Sequence, residues 1–378
     1  MTGTRSAGDA GVALVAVGVV VLAACAAVPS AGGAVEGVAV PVPARVVRVI
    51  VSGDVLLHQS GWLVRGAAQA GGATGAGYDF TDVFADVAPL IRDADLAICH
   101  LETPLAGPDG PFAGYPSFDV QPQIVDALAG AGYDTCSTAS NHSLDAGFDG
   151  LVRTLDTLDA GGIGHAGTFA SAEGSRTPHI VEVQGVRVGH TSWTFGLNGI
   201  PEPAGRAWAV NDFDATVPEL DAMLEDASLA RRAGAELVIA SVHCCTEYNS
   251  APTEAQREIA AGLLASPDVD LVVGHHAHVV QPFERIDGEW VAYGLGNHVA
   301  EQKPQATRDS VIARFTFTRT ADGRFSVTDA EAFPTRIVSG PAGLSVERTV
   351  PGDPAYERVA EVLRSRDAEA HGLVVAAG

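Results

Sequence analysis

The sequence predicts an α/β fold, and three observations carry that reading. From Val46 onward, short runs rich in Val, Ile or Ala recur, and each ends in a polar cluster. Amphipathic stretches with a spacing near 3.6 residues lie between them. Towards the C-terminus the pattern changes to strand-like runs alone, which predicts a second sheet.

The elements follow in order. Val46–Ser52 is the first strand, and the Gly- and Ala-rich segment Gly66–Tyr78 reads as a loop. Thr81–Ala94 is predicted as a helix with Val83, Phe84, Val87, Leu90 and Ile91 on one face. Asp95–Cys99 is a strand, Gln123–Ala131 a short helix and Asp134–Ala139 a strand. Phe148–Ala160 is a helix striped by Leu151, Val152, Leu155 and Leu158, and Gly161-Gly162 stops it. Phe213–Ala233 is a helix with a charged outer face, and Glu236–Val242 is a strand. Thr253 and Gln256 have the spacing of a capping box at the start of the helix Thr253–Ala265. Asp270–Val273, Trp290–Leu295, Val311–Thr318 and Phe325–Ala330 are strands, with Ala321–Arg324 as a turn between the last two. Residues 46–340 form one domain, and residues 341–378 form a C-terminal extension with a helix.

The N-terminus reads as an address. Residues 11–28 are uncharged and almost entirely Ala, Val, Leu and Gly, ending in Leu22-Ala23-Ala24-Cys25. That pattern resembles a bacterial lipobox within a signal peptide over residues 1–28, with Cys25 the lipidated first residue of the mature chain. The alternative is an uncleaved anchor helix. Either places the remainder outside the cytoplasm and on the membrane. Residues 29–45, small and Pro/Gly-containing, are a tether.

Composition excludes some classes. The chain of 378 residues carries a formal net charge of −23, which argues against a nucleic-acid partner. Cys99, Cys136, Cys244 and Cys245 are too scattered for a disulfide framework. A bridge between Cys99 and Cys136, or a role as small buried hydrophobes, both fit. No Cys-x-x-Cys pair suggests a zinc–thiolate site.

The polar clusters carry the chemistry. Asp54 and His58 follow the first strand. His100 and Glu102 follow the second, and Asn141, His142 and Asp145 the third. His243, Glu247 and Tyr248 come next, then His275, His276 and His278, then Asn297 and His298. Eight of the twelve histidines fall in these six clusters. Imidazole, carboxylate and amide oxygen together suit one or two divalent transition-metal ions such as Zn, Mn or Fe.

Together these blocks resemble the CapA family of poly-γ-glutamate capsule-synthesis proteins, a relative of the calcineurin-like metallophosphoesterases. The resemblance runs from about Val47 to Gln302. It rests on Gly53-Asp54, Leu101–Pro104, Ser140–Gly147, His243 with Glu247-Tyr248, Gly274–Val279 and Tyr293–Asn297. It implies a four-layer α/β/β/α sandwich with metals at the strand ends. Carried over, Asp54, Glu102, Asn141, His243, His276 and His278 would be metal ligands. His142 would face the substrate, with Asp145 holding it or capping the next helix. Glu247, Tyr248 and Asn297 would meet substrate. The chain lacks the Asp-x-His opening of the phosphoesterases, and His58 stands as a substitute ligand. His100, His275 and His298 read as supporting or structural residues.

Two functions follow from the resemblance. One is a surface metallohydrolase that cleaves a phosphoester or amide of an anionic envelope polymer, such as poly-γ-glutamate. The other is a non-catalytic metal-binding subunit of a membrane synthesis or export complex.

Overall fold

A computed structural model describes residues 45–377, apart from residues 60, 76 and 217–219. The expected signal segment, Cys25 and almost all of the tether therefore lie outside the described residues. Among the described residues, no helix is long and apolar enough to cross a membrane.

The chain runs β1 (Val46–Val55), α1 (Trp62–Thr74), α2 (Ala88–Arg92), β2 (Leu96–Leu101), α3 (Ile124–Ala131), β3 (Thr135–Ser137), α4 (Gly147–Ala160) and β4 (Gly164–Ala166). It continues through β5 (Ile180–Val183), β6 (Val186–Thr194), α5 (Leu220–Arg232), β7 (Leu237–His243), α6 (Glu254–Leu264), β8 (Leu271–His275), β9 (Phe283–Ile286) and β10 (Glu289–Ala292). The last elements are β11 (Asn297–Val299), β12 (Asp309–Arg319), β13 (Phe325–Gly340), β14 (Gly343–Arg348), α7 (Pro354–Arg364) and β15 (Leu373–Val375).

Two sheets result. The first has the order β14-β13-β12-β1-β2-β3-β4, with β11 also paired to β1 and β15 to β13. The second has the order β5-β6-β7-β8-β10-β9. Alternation along β1 shows how they stack. Val47, Val49 and Val51 pack against Leu237, Ile239, Leu271 and Val273 of the second sheet. Ile50, on the opposite face, packs with Phe84, Ile91 and Leu128 on the helical side. Met223, Ala227, Ile259 and Leu263 of α5 and α6 cover the far face of the second sheet at Val238, Ala240 and Val272. The layers are thus α/β/β/α, as expected. Trp290, Phe315 and Phe317 are fully buried between the sheets, each contributing about 2–3 kcal/mol of apolar burial.

Some elements differ from the sequence expectation, each for a tertiary reason. The Gly66–Tyr78 loop is instead mostly helix α1. Its buried Leu63 and Ala67 join the core, and the Glu301 carboxylate accepts from the N–H groups of Trp62 (2.6 Å) and Leu63 (3.1 Å). That cap comes from 238 residues away and leaves no local signal. The helix expected over Thr81–Ala94 is broken into a 3₁₀ turn, Thr81–Phe84, and α2. Pro89 lies in the first turn of α2, where its missing N–H is harmless, but it cannot continue an earlier helix. Phe213 is not helical: its N–H bonds the Thr194 carbonyl at 2.9 Å, tying the segment to β6.

Residues 341–378 contain the expected helix, α7. They also supply β14 and β15, both paired to β13, so position 340 falls inside the β13–β14 hairpin. Cys99 and Cys136 are register partners on β2 and β3 and form a disulfide, and Cys244 is bonded to Cys245.

β1, β2 and β3 run parallel in one sheet, and β6, β7, β8 and β10 in the other. The carboxyl ends of each parallel set therefore share an edge, where ligand-bearing loops gather.

Candidate metal centre

Asp54 is the hub. It is fully buried near the end of β1. Its position depends on a close approach: a Cβ at Gly53 would fall 1.8 Å from the Gly296 carbonyl, which accepts the Asp54 N–H at 3.0 Å. Asp54 Oδ1 lies 3.2 Å from His275 Nδ1, and Oδ2 lies 3.2 Å from His278 Nδ1. The His276 N–H donates to Oδ2 at 3.3 Å.

The turn after β8 brings the next ligands. His276 (φ 82°) and His278 (φ 56°) both take the left-handed backbone, uncommon for a side chain with a Cβ and a frequent mark of a functional turn. His278 Nε2 lies 3.7 Å from Glu102 Oε1 and 3.7 Å from Glu247 Oε1. Its Nδ1 lies 2.9 Å from Asn297 Oδ1, so the amide orients the ring. His100 Nε2 lies 2.9 Å from His243 Nδ1, and His243 Nε2 lies 2.8 Å from Asn141 Oδ1.

Three groups place one donor atom from each member within 4.8 Å of one another: Asp54, His100 and His243; Asp54, Glu102 and His278; Glu247, His276 and His278. Asp54 is shared by the first two and His278 by the last two. The donor set fits a cation by a second test. Both carboxylate oxygens of buried Glu102, and Nδ1 of buried His276, accept or donate no hydrogen bond. Buried polar atoms are ordinarily paired, and cations held by the donor groups that contain Glu102 and His276 would satisfy these.

The electrostatics agree. Burial pushes the Glu102 carboxyl up to about 7, against the pull of His278. Burial alone would lower His278, but Glu102 and Asp54 outweigh it and hold the imidazole at about 9. Asp54 stays well below the usual carboxylate range despite burial, because His275 and His278 hydrogen-bond to it. Burial and neighbouring imidazoles hold His243 and His100 well below 6.5, hence neutral, as ligands must be.

A cavity of about 650 Å³ opens over this cluster. His142 and Asp145 lie on its wall, with His142 Nδ1 2.7 Å from Asp145 Oδ2. Asp145 Oδ2 also accepts the Phe118 N–H at 2.8 Å. Asp145 does not cap α4, whose N-cap is Ala146 without a side-chain bond. Glu247 and Tyr248 line the same cavity.

The structure thus gathers Asp54, Glu102, Asn141, His243, His276 and His278, with Glu247, His142 and Asp145 alongside. Two expected residues stand elsewhere. His58 lines the cavity but belongs to none of the three groups. Its Nδ1 faces the Leu56 carbonyl at 3.2 Å and the Glu301 N–H at 3.3 Å, so the backbone occupies that nitrogen. Asn297, expected to meet substrate, is fully buried behind His278. It binds the ring and the loop behind it, not the cavity. His100 belongs to a donor group, although it reads as supporting in the sequence. The missed signal is the strand period: His100 and Glu102, two apart at the end of β2, share a face. His275 does support, touching Asp54. His298 is structural, its Nε2 2.9 Å from Tyr133 Oη. Asn198, whose Oδ1 accepts from Asn141 Nδ2 at 3.0 Å, has no strand-end signal at all.

Fold and site define a class: a four-layer α/β/β/α protein with a histidine–carboxylate cluster suited to metal at the strand ends. Within it, the chain belongs to the family described as bacterial capsule synthesis protein PGA_cap, whose model matches residues 48–302. It is 26% identical to the PGA biosynthesis protein CapA of Bacillus subtilis over 254 residues, 65% of this chain and 64% of that one. It is 25% identical to the capsule biosynthesis protein CapA of Bacillus anthracis over 242 residues, 62% of this chain and 57% of that one. A probable polyglutamine synthesis accessory protein of Mycobacterium tuberculosis is 30% identical over 224 residues, 54% of this chain and 55% of that one. The match spans just over half to under two thirds of these relatives' lengths. Among solved structures, the calcineurin-like phosphoesterase YfkN of Bacillus subtilis aligns with TM-score 0.49 and 16% identity, covering 86% of this chain and 94% of that one.

Proposed function

We propose that this protein is a metal-dependent hydrolase of the cell envelope, acting on a phosphoester or amide bond of an anionic polymer such as poly-γ-glutamate. The observation that carries the reading is Glu102. A buried carboxylate with neither oxygen hydrogen-bonded lies among imidazoles, under the cavity that also presents His142. A purely structural metal site has no need of an oriented histidine beside it.

Asp54, Glu102, His243, His276 and His278, with His100, Asn141 and Glu247, would hold one or two divalent ions of the Zn, Mn or Fe type. When bound, the ions supply Lewis-acid polarisation of the bond to be cleaved and activation of water. The chain's own groups do the rest. Asp145 holds His142 through Nδ1, leaving Nε2 as the nitrogen that moves a proton. Protonated there, His142 donates to the leaving oxygen or nitrogen. Asn198 steadies Asn141, and Asn297 fixes the His278 ring.

The N-terminal pattern supports an extracytoplasmic location with Cys25 as the lipid anchor, and the names of the relatives support an envelope polymer as the target. One observation favours the second reading, a non-catalytic subunit of a synthesis or export complex. It is the word "accessory" in the name of the mycobacterial relative.

The test joins metal analysis of the purified full chain to hydrolysis assays on a model phosphodiester and on γ-glutamyl oligomers. At least one transition metal is expected, lost in Asp54→Ala and His276→Ala. A folded protein that takes up no such metal overturns the reading. Metal without any hydrolysis favours the accessory subunit.

A further inference from the structure

Lys303 is the sole lysine in the 378-residue chain. It lines the cavity above the metal centre, together with His142 and Glu247, and no arginine among the described residues lines it. It follows directly on the segment matched by the family model, which ends at residue 302.

Its charge is unspent. Lys303 is exposed and makes no hydrogen bond or ion pair among the described residues. The nearest acid in sequence, Glu301, is committed elsewhere, since its two oxygens accept from Trp62 and Leu63 at the start of α1. Glu247, on the same cavity, faces His278.

Its loop is tied to Asn297, the residue behind the candidate ligand His278. Asn297 Nδ2 donates to Gln302 Oε1 (2.9 Å) and to the Thr307 carbonyl (2.9 Å). Gln302 Nε2 donates to Tyr248 Oη at 3.2 Å across the cavity rim. Thr307 Oγ1 donates to the Pro304 carbonyl at 2.7 Å. Asn297 Oδ1 is also the partner of His278 Nδ1. One buried amide therefore fixes both a candidate ligand and the loop that carries the lone ammonium. Such preorganisation lowers the cost of binding.

We propose that Lys303 forms an anion subsite beside the metal centre, holding a carboxylate of the bound molecule at a distance from the reacting bond. The subsite selects a chain of acidic units over a neutral one, and it rests on the envelope-polymer reading above. An ammonium is a compact point charge that pairs with a single carboxylate oxygen, and because Lys303 is exposed that attraction is screened and modest, enough to select among ligands but not to bind one alone.

The experiment measures binding of fluorescently labelled penta-γ-glutamate to the full chain, with its γ-linked amide analogue as the neutral control. Lys303→Gln is expected to weaken penta-γ-glutamate by about two- to fivefold, Lys303→Arg to restore most of it, and the neutral analogue to show no difference. Metal content is measured in parallel and is expected to match wild type. The proposal is overturned by unchanged affinity in Lys303→Gln or by an equal loss for the neutral analogue. It is also overturned by a loss of metal, or by a response confined to an oligo(glycerol phosphate) probe. Hydrolysis is scored separately. Lys303-dependent binding without cleavage removes the hydrolase reading and leaves the subsite; cleavage with Lys303-independent binding does the reverse.

Discussion

Asp145 holds His142 by its ring: Asp145 Oδ2 lies 2.7 Å from His142 Nδ1, and the same oxygen accepts the Phe118 N–H. The carboxylate is thus fixed by the backbone before it fixes the imidazole. Asp145→Asn is expected to keep the fold and the metal content. It is expected to lower kcat by about ten- to a hundredfold, because the ring loses its fixed tautomer. Steady-state kinetics check this: kcat falls while KM and metal content stay near wild type, whereas a merely structural loss also lowers metal content or melting temperature.

Glu102 costs stability until an ion reaches it. Its carboxyl is raised from 4.5 to about 7 by burial, so the penalty is full above pH 7 and vanishes below about 4.5. Glu102→Gln is expected to raise the melting temperature of the chelator-treated protein at pH 8 by about 2–4 °C. The variant should gain less than wild type on adding Mn²⁺ or Zn²⁺. Scanning calorimetry with and without metal reads both effects, and a lower melting temperature for the metal-free variant counts against the assignment.

Metal uptake should release protons. In the metal-free site Glu102 titrates at about 7 and His278 at about 9, and both must deprotonate to bind an ion. Affinity is therefore expected to rise with pH from about 6 to 9, with one to two protons released per ion near pH 7. Calorimetric titration in two buffers of different ionisation enthalpy measures the number. A pH-independent affinity contradicts this ligand set.

Two histidines away from the metal centre make the fold acid-sensitive. Burial lowers His179 to about 4 and His298 to about 3. Above pH 6.5 neither is protonated in either state. As pH falls below that, the unfolded chain takes up protons that the folded chain refuses. Stability is then lost at about 1.4 kcal/mol per pH unit for each residue until the folded value is reached. Urea unfolding of chelator-treated protein at pH 7, 6 and 5 is expected to show that decline.

Cys25→Ala tests the anchor. On the proposed lipid anchor at Cys25, wild type is expected to partition into detergent and the variant to lose that partition. Full retention in detergent at full yield would instead assign anchoring to an uncleaved helix.

The alternation of strands and helices, and the strand-end clusters of His, Asp, Glu and Asn, are legible in the chain before it folds. Those are local: a β period or a 3.6-residue stripe is written in neighbouring residues, and polar loops follow strand ends in any α/β fold. The capping box at Thr253 and Gln256 formed as the spacing predicted. Which members of each cluster face one another depends on packing. Asn297 and His58 looked like their neighbours in type and position. However, Asn297 turned behind His278, and His58 spent a ring nitrogen on the backbone. Helix α1 was illegible because its N-terminal cap is Glu301, a distant residue. The same residue leaves Lys303 unpaired. Local periodicity fixes the faces of elements, but only packing fixes which atoms converge within a few ångströms, and metal chemistry depends on that convergence.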